Sequence, residues 1–326
     1  MSYLNCGSMV ISLDFELMWG ILDHGDPMSY SDNIRNVFEV IPRLLDVFSI
    51  HGIHATWGVV GLLTEGSIDN CLLHMPDRTP SYRNNRLSPY DRMEGFRDVE
   101  RKLLFAPELV EQIAQTEGQE IASHTYSHYY CEEIGQTEAE FEADLVRAEQ
   151  TTGKYAPNVC SLIFPRNQFN EEYADVLKRT GFHYYRGNEH AWFYRPQDNK
   201  GDRIPLKRAF RLLDNYLPIS GSNTYDYDEI VDSSGLCNIR SSRFLRPYSK
   251  TLFWLEPIRM RRIATQMEYA AKHNRVFHLW WHPHNFGSNM EENFSNLGYL
   301  LERYASLNIK YCFRSMNMRE LGELVL

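Results

Sequence analysis

Two acidic residues, Asp14 and Glu16, follow the apolar run Met9-Val10-Ile11-Ser12-Leu13. In extended backbone alternate side chains share a side, so both carboxylates face one way at a strand end. Such a pair suits either a metal or a coupled acid and base. A second cluster, Ser123-His124-Thr125-Tyr126-Ser127-His128, carries H-x-x-x-H spacing. One turn of helix would put both imidazoles on one face, within reach of one divalent ion. With Glu16 the set becomes two histidines and one carboxylate, used by zinc and other first-row metals with positions left open for water. In Phe164-Pro165-Arg166-Asn167 an arginine at a strand end can clamp a carboxylate through two hydrogen bonds. Finally, His278-Leu279-Trp280-Trp281-His282-Pro283-His284 gathers three histidines around one strand end. His278 and His282 share a face of that strand, and His284 joins them only if extension continues past Pro283. A side chain that titrates near neutrality, beside two tryptophans, suits a general acid. Each cluster alone has an ordinary structural reading. Their common place just past a strand is what joins them, because α/β barrels build sites at that end.

The elements that must position them alternate along the chain. Strands are expected at 9–13, 55–60, 120–123, 159–164, 182–185, 276–281 and 309–313. Between them lie helices. One runs from a cap at Asp32 to a stop at Gly52, with Pro42 as a point of kinking. Others are expected near 107–117, after a Thr137/Glu140 capping box to Thr151, and at 170–180, 257–273, 294–306 and 318–324. Repeated strand–helix–strand order means a mainly parallel sheet, and about seven strands favour a barrel. Segments 65–101 and 187–251 break the rhythm and read as long inserted loops that wall a substrate. The expected organisation is a single catalytic domain over residues 1–326.

Composition bounds the function. Apolar residues are 43% and charged residues 24% of 326, enough for a large core and against disorder. Lys+Arg 34 against Asp+Glu 43 leaves −9, a poor balance for nucleic acid or an anionic membrane. One stretch differs: Arg240, Arg243, Arg246, Lys250, Arg259, Arg261 and Arg262 face the single acid Glu256. That stretch is either a solvated basic face or a site for an anionic substrate such as a uronate, a phosphate or a nucleotide-sugar. Six scattered cysteines without C-x-x-C read as reduced structural thiols. No signal peptide and no run of 18 apolar residues is seen, so the expected location is the cytoplasm, with no transmembrane segment.

The order LDFE, SHTYSH, FPRN and WWHPH resembles the polysaccharide deacetylase superfamily, carbohydrate esterase family 4, over about residues 9–290. That resemblance implies a distorted (β/α)7-type barrel and metal-dependent removal of an N-acyl group, acetyl or formyl, from an amino sugar of a polysaccharide or its nucleotide- or lipid-linked precursor. It implies Asp14 as base, Glu16, His124 and His128 as ligands of one divalent ion (zinc first, then Co, Ni, Fe or Mn), Arg166 as the arginine that orients the base, and His282 as acid. His284 is a rival acid, and His284, Trp281 and Arg246 are assigned to substrate contact. The D-x-E order departs from the adjacent aspartates of many members and marks a divergent branch. Two other readings are an allantoinase-like amidohydrolase of a small nitrogen compound and a sugar-binding module without turnover.

Overall fold

A computed structural model describes residues 6–23, 26–195 and 204–326. Its centre is β1 (Ser8–Phe15), buried along its whole length. Around it stand β2 (Ala55–Val59), β3 (Gln119–Ser123), β4 (Ser161–Ile163), β5 (Tyr184–Arg186), β6 (Cys237–Asn238), β7 (Arg243–Phe244), β8 (Val276–Trp281) and β9 (Arg314–Ser315). All named pairs are parallel, in the order β6-β5-β4-β3-β2-β1-β8-β7, with β9 also on β1. Register aligns Leu13 with both Trp57 and Trp281, so the C-terminal ends of β1, β2 and β8 lie level.

The two edge strands, β6 and β7, are one extended segment. Its first half bonds to β5 and the residues just past β5, through Ile239 N to Tyr185 O (2.8 Å) and Ser241 N to Gly187 O (2.9 Å). Its second half turns to β8, through Ser242 N to His278 O and Leu245 N to Trp280 O, both 2.8 Å. This segment closes the curled sheet into the distorted barrel expected from the sequence. It lies inside 187–251, which had read as loop, because two-residue pairings leave no periodicity to detect.

Alternation sets the layers. Met9, Ile11, Leu13, Phe15, Trp57, Phe277, Leu279 and Trp281 face the surrounding helices in the main core. Val10, Ile163, Tyr184 and Val276 point inward and pack on Ile239, Met318 and Leu321. Met318–Val325, opened by an Asn317/Glu320 capping box, plugs the N-terminal end of the barrel. There Met318 N donates to Thr56 Oγ1 (2.8 Å) and Arg319 N to Glu120 Oε2 (3.1 Å). The candidate site residues are thereby confined to the other end.

Several expected boundaries move. Pro42 lies inside helix Val37–His51 without ending it, and Gly52 at φ +61° stops that helix. Helix Met290–Tyr311 runs through most of the strand expected at 309–313, with Ile309 in water, and the true strand is β9. Segment 65–101 is short helical turns, including Ile68–Leu73 and Tyr90–Phe96.

Candidate active site

Asp14 and Glu16 emerge at the C-terminal end of β1 on its inward side, both almost fully buried. Glu16 begins a tight turn in which Leu17 takes φ +48°. Its carboxylate lies against the backbone of Gly20, where any Cβ would collide with it. Gly20 is therefore a cradle that larger residues would fill.

Beyond β3 the two histidines do not sit on a helix. Thr125 (φ +62°) and His128 (φ +59°) are left-handed, and the segment loops back on itself. The expected helical turn is corrected, and a side chain distant in sequence holds the loop. Asp144, buried on helix Glu138–Thr152, accepts from Tyr126 N (2.7 Å), Ser127 N (3.1 Å) and the Ser127 hydroxyl. Burial raises its pKa to about 6, against those hydrogen bonds.

The loop turns both imidazoles onto Glu16. His124 Nε2 and His128 Nε2 lie 3.4 and 3.1 Å from Glu16 Oε2, and one donor atom from each of the three residues falls within 4.8 Å of the others. His124 donates Nδ1–H to Ile163 O (2.8 Å), which fixes its tautomer and leaves Nε2 as a lone-pair donor. That Nε2 is buried without a hydrogen-bond partner. Burial raises the Glu16 pKa, but His282, His124 and His128 outweigh it, and the carboxylate stays ionised well below its usual range. Burial lowers the His128 pKa and favours the neutral ring that a ligand must present. Two imidazoles and one carboxylate, converging with an orphaned nitrogen, fit a divalent cation.

Asp14 stands beside this set, in the fork of an arginine. Arg186 Nη1 and Nη2 donate to its two oxygens at 2.5 and 2.8 Å. Burial would raise the Asp14 pKa, yet Arg186 outweighs it and the net shift is downward. Arg186 also donates to Ser12 Oγ (3.1 Å) and Asn167 Oδ1 (2.8 Å), and its guanidinium lies 4.2 Å from the centre of the Trp280 ring. Ser12 reaches His278 Nε2 (2.8 Å), and burial lowers the His278 pKa to about 3. His278 is thus a neutral prop under the arginine and no acid.

Arg166, the expected partner of Asp14, is elsewhere: it sits at φ +54° and pairs with Asp23. The reason is parity. Ile163 points inward on β4, so the chain must turn before Arg166, whereas Tyr184 and Arg186 both point inward on β5. The signal for Arg186 was present in Tyr184-Tyr185-Arg186, again an arginine at a strand end.

His282 Nε2 is 3.7 Å from Asp14 Oδ2 and 3.6 Å from Glu16 Oε1, on the open side of the cluster, with its side chain 23% exposed. The His284 ring is 5.0 Å away and buried. Trp281 points the other way and stacks on Phe286 in the helix-facing core, so its assignment to substrate is corrected; Trp280 is the tryptophan facing the site. Most of the basic stretch is also internally matched: Arg243 and Arg262 hold Asp214, Arg259 holds Glu256, and Arg240 pairs with Glu229. Arg246 is half-buried, its carbonyl taken by Arg259.

A cavity of about 210 Å³ adjoins the cluster, lined by Trp280, Phe244, Arg166, Asn167, Asn188, Glu189, Tyr194, Arg211 and Asn215. Larger hollows of about 760 and 630 Å³ lie on outer helix faces and include none of Asp14, Glu16, His124, His128, Arg186 or His282.

The polysaccharide deacetylase family model matches residues 28–185. Among solved structures, a putative polysaccharide deacetylase from Mycobacterium smegmatis is 15% identical, with all of this chain and 92% of that one covered, at a TM-score of 0.59. A GH57-type branching enzyme from the hyperthermophilic archaeon Pyrococcus horikoshii follows at 12% identity, 97% and 70% coverage and 0.52. A 4-alpha-glucanotransferase from Thermococcus litoralis has 9% identity, 98% and 40% coverage and 0.50. These structures share the fold. No curated protein matches the chain. The family match over residues 28–185 and this fold together support placing the chain in the polysaccharide deacetylase superfamily. No helix among the described residues is long and apolar enough to cross a membrane.

Proposed function

We propose that this protein hydrolyses an N-acyl group, acetyl or formyl, on an amino sugar of a polysaccharide or its nucleotide- or lipid-linked precursor. The observation that carries this reading is the convergence of Glu16, His124 and His128 beside an ionised Asp14. Those three residues would hold one divalent ion, zinc first, and a bound ion supplies Lewis acidity toward an acyl carbonyl and lowers the pKa of water. Asp14, kept anionic and aimed by Arg186, accepts the proton of the attacking water. His282, at the open side within 4 Å of both carboxylates, donates a proton to the leaving amine. Ser12 and His278 hold Arg186 from below, and Trp280 covers its face.

The test is the purified full chain on N-acetyl and N-formyl amino sugars, free and nucleotide-linked, with the mass of the product read before and after chelation. Loss of the acyl group that stops on chelation and returns with zinc is expected. Undiminished turnover in metal-free protein would overturn the metal reading. Turnover of allantoin with no turnover of any amino sugar would overturn the substrate reading.

A further inference from the structure

The cavity beside the catalytic cluster is small and its lining is mixed. At about 210 Å³ it falls below the roughly 300–1,000 Å³ of pockets that take drug-sized ligands. Its volume is on the scale of one sugar ring. Trp280 and Phe244, their ring centroids 4.7 Å apart, give it an aromatic wall. Asn167, Asn188 and Asn215 give neutral donors and acceptors. A pyranose presents C–H faces and a rim of hydroxyls, and this combination is complementary to both. Arg166, Glu189 and Arg211 also line it; Arg166 is held by Asp23, and Arg211 donates Nε–H to Phe193 O (2.6 Å).

The cavity is tied to the reacting groups through two of its own walls. Asn167 accepts from the arginine that clamps Asp14, and Trp280 lies under that same guanidinium. Phe244 reaches to 6.0 Å from the His282 ring. The opposite wall comes from the long segment after β5: Asn188, Tyr194 and Asn215 all line it. That wall is well anchored. Asn188 donates to Asn167 O (2.9 Å), and Tyr194 donates to the buried Asp214 (2.9 Å), itself clamped by Arg243. So held, Asn188 and Tyr194 limit how far this side of the cavity can open.

We propose that the cavity bounded by Trp280, Phe244, Asn188 and Tyr194 is a single-ring sugar site, so that the enzyme acts on a lone N-acylated sugar or a chain end and not on the interior of a polymer. The inference rests on the N-deacylase reading above and names its substrate class. The full metal-loaded chain is given N-acetylglucosamine, its linear tetramer and the N-formyl monosaccharide, and the position of each acyl loss is read by fragmentation mass spectrometry. The single unit and the terminal unit should react on the order of tenfold or more faster than internal units. Equal loss at internal positions overturns the proposal while leaving deacylation standing.

Binding is read separately, by saturation-transfer NMR of N-acetylglucosamine on the Asp14→Asn protein. Ring protons should receive saturation, and Asn188→Trp, which fills the cavity, should abolish it. Phe244→Ala, which enlarges the cavity, should instead admit the tetramer's internal units. Persistent saturation in a folded Asn188→Trp protein overturns the site even if no sugar is ever turned over, which separates this failure from that of the deacylase reading.

Discussion

The two walls of the site are built differently. On one side, β1 and the loop after β3 supply Asp14, Glu16, His124 and His128 from two short stretches of sequence, each compact enough to read locally. On the other side, Arg186, Trp280, Phe244 and the cavity residues come from β5, β8, the closing segment and a long insertion. The first wall carries donor atoms whose mutual geometry is set by a few ångströms of backbone. The second carries shape and support, dispersed across the chain and fixed by buried ion pairs such as Arg186 with Asp14 and Arg243 with Asp214. Chemistry concentrates in motifs, whereas selection of what enters the site is distributed.

The contrast can be broken at its strongest point first. Glu16→Gln should lose bound metal, measured by elemental analysis, and lower kcat on the order of a thousandfold or more. A variant that keeps both would refute the metal role of this wall. Next comes Arg186→Met against Arg166→Met. Removing Arg186 leaves a buried carboxylate unpaired and should cost about 3–5 kcal/mol in chemical denaturation together with most activity. Arg166→Met, which leaves the Asp14 fork intact, should keep the larger part of kcat. Reversal of that order would return the role to Arg166.

Smaller effects sharpen the picture. Gly20→Ala should push Glu16 off its position and weaken metal binding by about 10–100-fold, read by competition with a chelating dye. Asp144 gives a pH signature. Its folded pKa, about 6, lies above the ordinary carboxylate value, so the unfolded chain releases that proton first. Its contribution to stability is present below the unfolded value and is lost as pH rises through about 6. Thermal midpoints should therefore fall across that window in the parent, and Asp144→Asn should flatten this component. Smallest in function is Trp281→Phe, which should lower stability by about 1–3 kcal/mol with KM unchanged. A raised KM would place Trp281 back at the substrate.

The strand-helix alternation, the expectation of a barrel and the identity of the compact wall were legible in the chain, whereas the segment that closes the sheet, β6 with β7, had read as loop. An apolar run ending in D-x-E and an H-x-x-x-H past a strand are local patterns, and period-2 alternation carries the two carboxylates to the same side. It also decided that His278 and His282 share a face, though not that one would be a buried prop and the other would stand part-exposed on the open side of the cluster. Tertiary structure alone decided between Arg166 and Arg186, because both are arginines at strand ends and only the inward parity of Tyr184 and Arg186 separates them. It likewise decided that Asp144 would hold the histidine loop, that Gly20 would cradle Glu16, and that the basic stretch would be spent on Asp214, Glu256 and Glu229. Each of these depends on which elements meet across the barrel, and residues far apart in the chain carry no mark of the partner that packing will give them.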